Sequence, residues 1–252
     1  MHVLHVKRLT KVYGAKNSGI ATTALKGIDL EVQPGEFVGI MGPSGSGKTT
    51  LLNLLAGLDQ ATSGELWIQD EDMSKFNPEQ MALFRRRNLG FVFQDYNLLD
   101  TLTLSENVAL PLTLDGKRGT RVQHRVKELL EYLGLGEVMN RYPYEVSGGQ
   151  QQRTAVARAV IHEPALILAD EPTGNLDSGS AKALLELFQR LNQERGTTLL
   201  LVTHDPFSAS YCGRILFVKD GTVFSKIERS GSRQTFFQEI LDTLAVLEGS
   251  QS

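Results

Sequence analysis

Between Gly42 and Thr49 the stretch GPSGSGKT fits the spacing G-x-x-x-x-G-K-[ST], and its residue types suit a bound polyphosphate. The glycines let backbone N–H groups converge on phosphate oxygens, helped by the positive end of a following helix. Lys48 can reach the β- and γ-phosphates, and Thr49 can offer its hydroxyl to Mg²⁺. Gly42, Ser44, Gly45, Ser46, Gly47, Lys48, Thr49 and Thr50 therefore form the candidate phosphate-binding set. A second candidate follows the apolar run LILA, which ends in Asp170 and Glu171. Two carboxylates at the end of a buried run are costly unless paired or bound to a metal. Asp170 suits Mg²⁺, directly or through water, and Glu171 can polarise a water attacking the γ-phosphate. His204, in VTHD, can donate a hydrogen bond to that phosphate or hold the water. A third stretch, VSGGQQQRTAVARA from Val146 to Ala159, opens a helix with a hydroxyl, two glycines and three glutamines. Glycines at a helix start suit close approach of an anion. The chain thus carries two anion sites and one nucleotide lysine.

Short elements must position these groups. EFVGIMG reads as a buried strand running into the glycine loop, and KTTLLNLLAGL as a helix closed by Gly57. ALILAD and TTLLLVTH read as further buried strands, with Pro164 ending the helix before the first. SAKALLELFQRLNQERG places Leu184, Leu187, Phe188 and Leu191 on one helical face and stops at Gly196. Residues 3–32 read as short strands of an antiparallel layer, broken by YGAKNSG and LKG, and SGELWIQDEDM returns to strand. NPEQMALFRRR opens a helix with Asn77 as N-cap, Pro78 at the first position and Gln80 completing a capping box. RILFVKDGTVFS reads as a hairpin turning at Asp220-Gly221. Helical patterns concentrate between about residues 95 and 160, as an inserted helical lobe. From Arg233 to Glu248 a tail helix places Phe237, Ile240, Leu241 and Leu244 on one stripe, with Ser232 as N-cap. Strands alternating with helices give an α/β fold with a mainly parallel sheet.

Bulk properties narrow the function. The 252 residues are 41% hydrophobic and 22% charged, an ordinary globular composition. The net charge of −3 and pI near 6 give no argument for a nucleic-acid partner. Cys212 is the one cysteine, reads as a small buried apolar residue, and fits a reducing, cytosolic compartment. No stretch approaches the ~20 apolar residues of a membrane span, so a membrane role needs another polypeptide.

Together these motifs resemble the ATP-binding cassette family of transporter ATPases over nearly the whole chain. VSGGQQQR looks like the family signature, VFQD its Q-loop, ILADEP its Walker B strand, GNLDS its D-loop and VTHD its switch histidine, in the family's order. The resemblance implies a P-loop NTPase core, an antiparallel β subdomain and an inserted α-helical subdomain. It implies a nucleotide-binding domain over residues 1–230 and a helical tail over 231–252. It also accounts for two anion sites. In the family two cassettes dimerise head to tail, so Ser147, Gly148, Gly149 and Gln150 would bind the nucleotide held by the partner's phosphate loop. By the same resemblance Gln94 would contact Mg²⁺ and the attacking water, Tyr13 would stack on adenine, and Asp177 would sit at the dimer interface. ATP and Mg²⁺ are the implied cofactors.

Phrases such as GAKNSGIATTALKG, DEPTGNLDS and FQDYNLLDTLTLSENVALPL resemble the branch with lipoprotein-releasing, macrolide-export and peptide-antibiotic resistance ATPases. Within it THDPFSASYCGRILFVKDG and RQTFFQEIL look most like the bacitracin-resistance type. That type implies a large multi-span permease as partner, a link to a membrane histidine kinase, and a place on the cytoplasmic face of the cell membrane. Lipoprotein-release, macrolide-export and cell-division types remain alternatives. A soluble cassette acting on nucleic acid would carry two cassettes or a long coiled-coil insertion, and neither is present.

Overall fold

The structure, a computed structural model, describes residues 2–14 and 21–249. The alternation of apolar residues sorts its strands into two sheets. Strands β1 (Leu4–Tyr13), β2 (Thr22–Val32), β4 (Ser63–Ile68) and β5 (Glu71–Asp72) form an antiparallel sheet in the order β2-β1-β4-β5. Strands β3 (Phe37–Met41), β6 (Leu89–Val92), β7 (Leu166–Asp170), β8 (Leu199–Val202), β9 (Arg214–Lys219) and β10 (Thr222–Glu228) form the second sheet, ordered β10-β9-β3-β8-β7-β6. From β6 to β9 every pairing is parallel, and β10 closes the edge antiparallel to β9.

Both faces of the parallel sheet are covered, which is why its strands read as unbroken apolar runs. Val38, Ile40, Leu166, Leu168, Leu200 and Val202 pack on the side of helix α1 (Lys48–Leu55) and the antiparallel sheet. Phe37, Met41, Ile167, Ala169, Leu199 and Leu201 face helices α5 (Gly148–Val160) and α6 (Ser178–Arg195). Helices α3 (Leu104–Leu114) and α4 (Thr120–Tyr132) extend that second core through Val108, Leu112, Val126 and Leu130. Leu184, Leu187, Phe188 and Leu191 form the buried face of α6, which ends at Gly196 in the left-handed region. Helix α2 (Pro78–Asn88) has the capping box between Asn77 and Gln80, and the β9–β10 turn has positive φ at Asp220 and Gly221. Cys212 is fully buried, its Sγ 3.1 Å from where a Cβ on Gly39 would stand, and burial pushes its thiol pKa up.

Three local expectations are corrected. LKG does not break a strand: Gly27 (φ +109) is a bulge inside β2, where pairing steps from Leu9↔Ile28 to Thr10↔Lys26. SGELWIQDEDM is not one strand but β4 and β5, joined by a turn with positive φ at Gln69 and Asp70. In the tail helix α8 (Arg233–Gly249) the buried stripe is Phe236, Ile240 and Leu247, while Leu241 is exposed. Packing against β10 and the one-turn helix α7 (Pro206–Ala209) sets that rotation, which periodicity left one residue off. Ser232 does cap α8, its Oγ accepting from Thr235 N at 3.1 Å. Most of the loop YGAKNSG lies outside the described residues.

Candidate functional site

Parallel register gathers the candidate residues on one sheet edge. Ile40 pairs with Val202, Val202 with Asp170, and Ala169 with Val92. The four strands therefore release their chains side by side, at the glycine loop, Glu171, Thr203-His204 and Phe93-Gln94. The carboxyl edge of an open α/β sheet is where such folds place ligands. Close approach of backbone explains the glycines. A Cβ on Gly42 would stand 2.0 Å from Val218 O, and one on Gly47 (φ +101) 2.7 Å from Ala24 O. Behind the loop Gly221 N donates to Ser46 O at 3.1 Å.

Lys48 curls over its own loop, donating from Nζ to Gly42 O and Pro43 O at 2.8 Å each. Burial lowers its pKa, opposed by the nearby charges of Glu171 and Asp170. Asp170 shifts the other way: burial and the charge of Glu171 raise its pKa against the pull of Lys48. Glu171 sits in the left-handed region (φ +44), with its N–H on Val202 O at 2.9 Å. Both of its carboxylate oxygens are engaged. Thr203 Oγ1 donates to Oε2 at 3.2 Å, and His204 Nδ1 lies 2.8 Å from Oε1. The His204 side chain is 74% exposed, so its ring is open to a ligand.

The donor set fits a hard divalent cation. The carboxylate of Asp170 accepts no hydrogen bond among the described residues and sits beside a second carboxylate. Ser46 Oγ is buried without a partner, and Thr49 follows Lys48 at the head of α1. Magnesium would find oxygen ligands here and relieve the crowding of negative charge. Gln94 stands in a different contact. Its Nε2 donates to Asn175 Oδ1 at 3.1 Å, beside Gly174, where a Cβ would stand 2.9 Å from the Gln94 amide. No hydrogen bond joins Gln94 to Thr49 or Asp170 among the described residues. Thr203 and Asn175 are site neighbours that sequence reasoning missed, although both lie inside the motifs VTHD and GNLDS.

Ser147 N-caps α5, accepting from Gln150 N at 3.3 Å, while Gln150 Oε1 accepts from Ser147 N at 2.9 Å. Gly148 packs toward the Tyr96 hydroxyl and Gly149 toward Ser180. Ser147 is exposed, and no described hydrogen bond joins residues 147–150 to the glycine loop of the same chain. Asp177 N-caps α6, and bonds to Ser180 and Gly179 hold its carboxyl below the usual range. Tyr13 is 41% exposed, its hydroxyl donates to Asp59 Oδ2 at 2.8 Å, and Lys11 Nζ lies 4.7 Å from its ring centroid. One chain thus assembles the phosphate loop, Asp170, Glu171 and His204, and among the described residues no hydrogen bond ties the VSGGQ helix start to that loop.

The family model for "ABC transporter" matches residues 25–174, more than half of the chain. The chain belongs to the ABC transporter family. Within it the enzyme class anticipated from the motifs, an ATPase, holds. An uncharacterised ABC transporter ATP-binding protein of Bacillus subtilis, YvcR, is 56% identical over 99% of this chain and 96% of its own length. The bacitracin export ATP-binding protein BceA of Halalkalibacterium halodurans is 47% identical over 100% of this chain and 99% of its own. Among solved ABC cassettes, the dimeric post-hydrolysis state of MJ0796 bound to ADP and Pi superposes with a TM-score of 0.81. It has 40% identity and covers 91% of this chain and 100% of that one. The α/β cassette fold expected from the motifs is therefore the fold found. No described helix of this ABC chain is long and apolar enough to cross a membrane.

Proposed function

We propose that the chain is the ATP-hydrolysing subunit of a membrane transporter, acting as a head-to-tail pair of cassettes. The observation that carries this reading is the division of the site: one chain assembles the hydrolytic edge, while Ser147 at its helix start is exposed and makes no described hydrogen bond to its own phosphate loop. Facing a second copy, Ser147, Gly148, Gly149 and Gln150 supply donors to the γ-phosphate that the partner copy's loop holds. The nucleotide becomes the interface, and hydrolysis splits the charge that joins the two surfaces. MJ0796, seen as a dimer with ADP and Pi, supports this geometry.

In the mechanism Lys48 exchanges its two loop carbonyls for phosphate oxygens, a trade of neutral for charged acceptors that strengthens its bonds. Glu171 accepts a proton from the attacking water at its carboxylate, with Thr203 and His204 fixing the carboxylate plane. Thr49, Asp170 and Gln94 would hold Mg²⁺, which supplies charge neutralisation to the phosphates. Tyr13 offers its exposed ring to the adenine, and Asp177 stands near the partner's site.

A groove of about 450 Å³ between α2, β6 and α3 suits a permease. Phe91 and Phe93 stack there at 5.8 Å, Leu58 and Leu114 are exposed, and Arg85, Arg86 and Arg158 line it. It borders the segment after Gln94, so a seated permease loop touches the hydrolytic edge. A chain that docks a permease through this groove would lie at the cytoplasmic face of the membrane. BceA and the phrase likeness to bacitracin-resistance ATPases support peptide-antibiotic resistance as the role. The dimeric and transporter relatives support the cassette pair and the permease, but not the membrane histidine kinase. Glu171→Gln saturated with Mg-ATP should accumulate as a nucleotide-bound dimer by solution scattering, and adding Ser147→Arg should return it to monomer. A monomeric Glu171→Gln chain, or a dimer indifferent to Ser147→Arg, would sink the paired reading.

A further inference from the structure

Gln152 stands on α5, five residues beyond Ser147, and its side chain is fully buried. Its Nε2 donates to two backbone carbonyls, Phe93 O at 3.0 Å and Pro172 O at 2.6 Å. Phe93 immediately precedes Gln94, and Pro172 immediately follows Glu171. One amide therefore fastens the helix that begins at Ser147 to both flanks of the hydrolytic edge. The two acceptors fix which end of the amide is nitrogen, and they leave Oε1 buried without a partner. A second tie runs parallel to it. Arg158, in the last turn of α5, holds Tyr96 O at 2.9 Å and also bonds Asn97 O, across two consecutive residues with positive φ.

We propose that Gln152 is a positioning residue through which the two ATP sites of the cassette pair sense each other. This rests on the paired reading above. Ser147 and Gln152 lie about 7.5 Å apart along one rigid helix axis. When the partner's γ-phosphate draws the start of α5, the helix moves as a body, and the amide carries that shift to the backbone beside Gln94 and Glu171. Filling one site thereby aligns the water-polarising carboxylate of the other.

Gln152→Met keeps the length and removes the donor; Gln152→Asn keeps the amide one methylene short and serves if methionine does not fold. Either should lower kcat by about 10- to 100-fold, the cost of slight misplacement, with the KM for ATP within about twofold. The Hill coefficient should fall toward one, since coupling between two sites is what the variant removes. Hydrogen–deuterium exchange locates the break. In Glu171→Gln with Mg-ATP, protection should rise at residues 147–151 and at 92–97; with Gln152→Met added, only the rise at 147–151 should persist. Protection at 92–97 undiminished by Gln152→Met, or wild-type kcat and Hill coefficient, overturns the role of Gln152 alone. No protection at 147–151 in Glu171→Gln overturns the paired reading and this proposal with it.

Discussion

Replacing His204 by alanine tests the hydrolytic edge through its most exposed member. His204 Nδ1 lies 2.8 Å from Glu171 Oε1. A hydrogen bond to a charged group contributes about 1.5–3 kcal/mol, which at about 1.36 kcal/mol per decade corresponds to roughly 10- to 150-fold in rate. With the His204 side chain 74% exposed, solvent screening puts the expected loss at the low end, about tenfold. Glu171→Gln removes the proton acceptor and should cost about 10²- to 10⁴-fold in kcat. It conserves side-chain volume and leaves one amide oxygen, enough for either Thr203 or His204. If His204 works by holding the Glu171 carboxylate, His204→Ala should have almost no further effect once Glu171 is glutamine. The assay is phosphate release at saturating Mg-ATP from wild type, both single variants and the double variant. Equal factors for His204→Ala in both backgrounds would refute action through Glu171 and put the imidazole on the nucleotide independently. Wild-type turnover by Glu171→Gln would remove Glu171 from its role altogether.

Lys48→Ala should weaken ATP binding by about 10- to 150-fold, the loss of charge-assisted bonds to phosphate, measured by titration with a fluorescent nucleotide; unaltered affinity would count against the phosphate loop. Asp170 gives a pH-dependent test. Because burial and Glu171 raise its folded pKa above 3.8, the folded chain keeps a proton that the unfolded chain has released. That contribution to stability is complete below 3.8 and lost as pH rises through the folded value. Asp170→Asn should therefore raise the melting temperature of the nucleotide-free chain at pH 7 and give little gain near pH 4, while abolishing turnover. In the tail, Ile240→Ala should destabilise by about 2–5 kcal/mol, since Ile240 is fully buried. Leu241→Ala should stay within about 0.5 kcal/mol; thermal melts in which Leu241→Ala is the costlier change would reverse the assigned rotation of α8.

The sequence by itself determined what depends on neighbours a few residues apart. The Asn77–Gln80 box, the turn at Asp220-Gly221, the stop at Gly196 and the glycine loop each close their own hydrogen bonds or need a local φ, so spacing alone reveals them. Ser147 belongs with them as a cap on Gln150. Tertiary structure decided whatever turns on register and rotation. Apolar runs such as LILA and LLLV say that strands are buried without saying which lie side by side, and only the pairing of Ile40 with Val202 and Val202 with Asp170 puts Lys48, Glu171 and His204 on one edge. The phase of α8 followed its packing partners, as Phe236 in place of Phe237 shows, and the bulge at Gly27 followed the pairing of β1 with β2. Gln152 is the sharpest case. In sequence it is one of three glutamines at a helix start; it differs from Gln151 only because a 100° step around the helix turns it toward two carbonyls that arrive from elements 59 and 20 residues away.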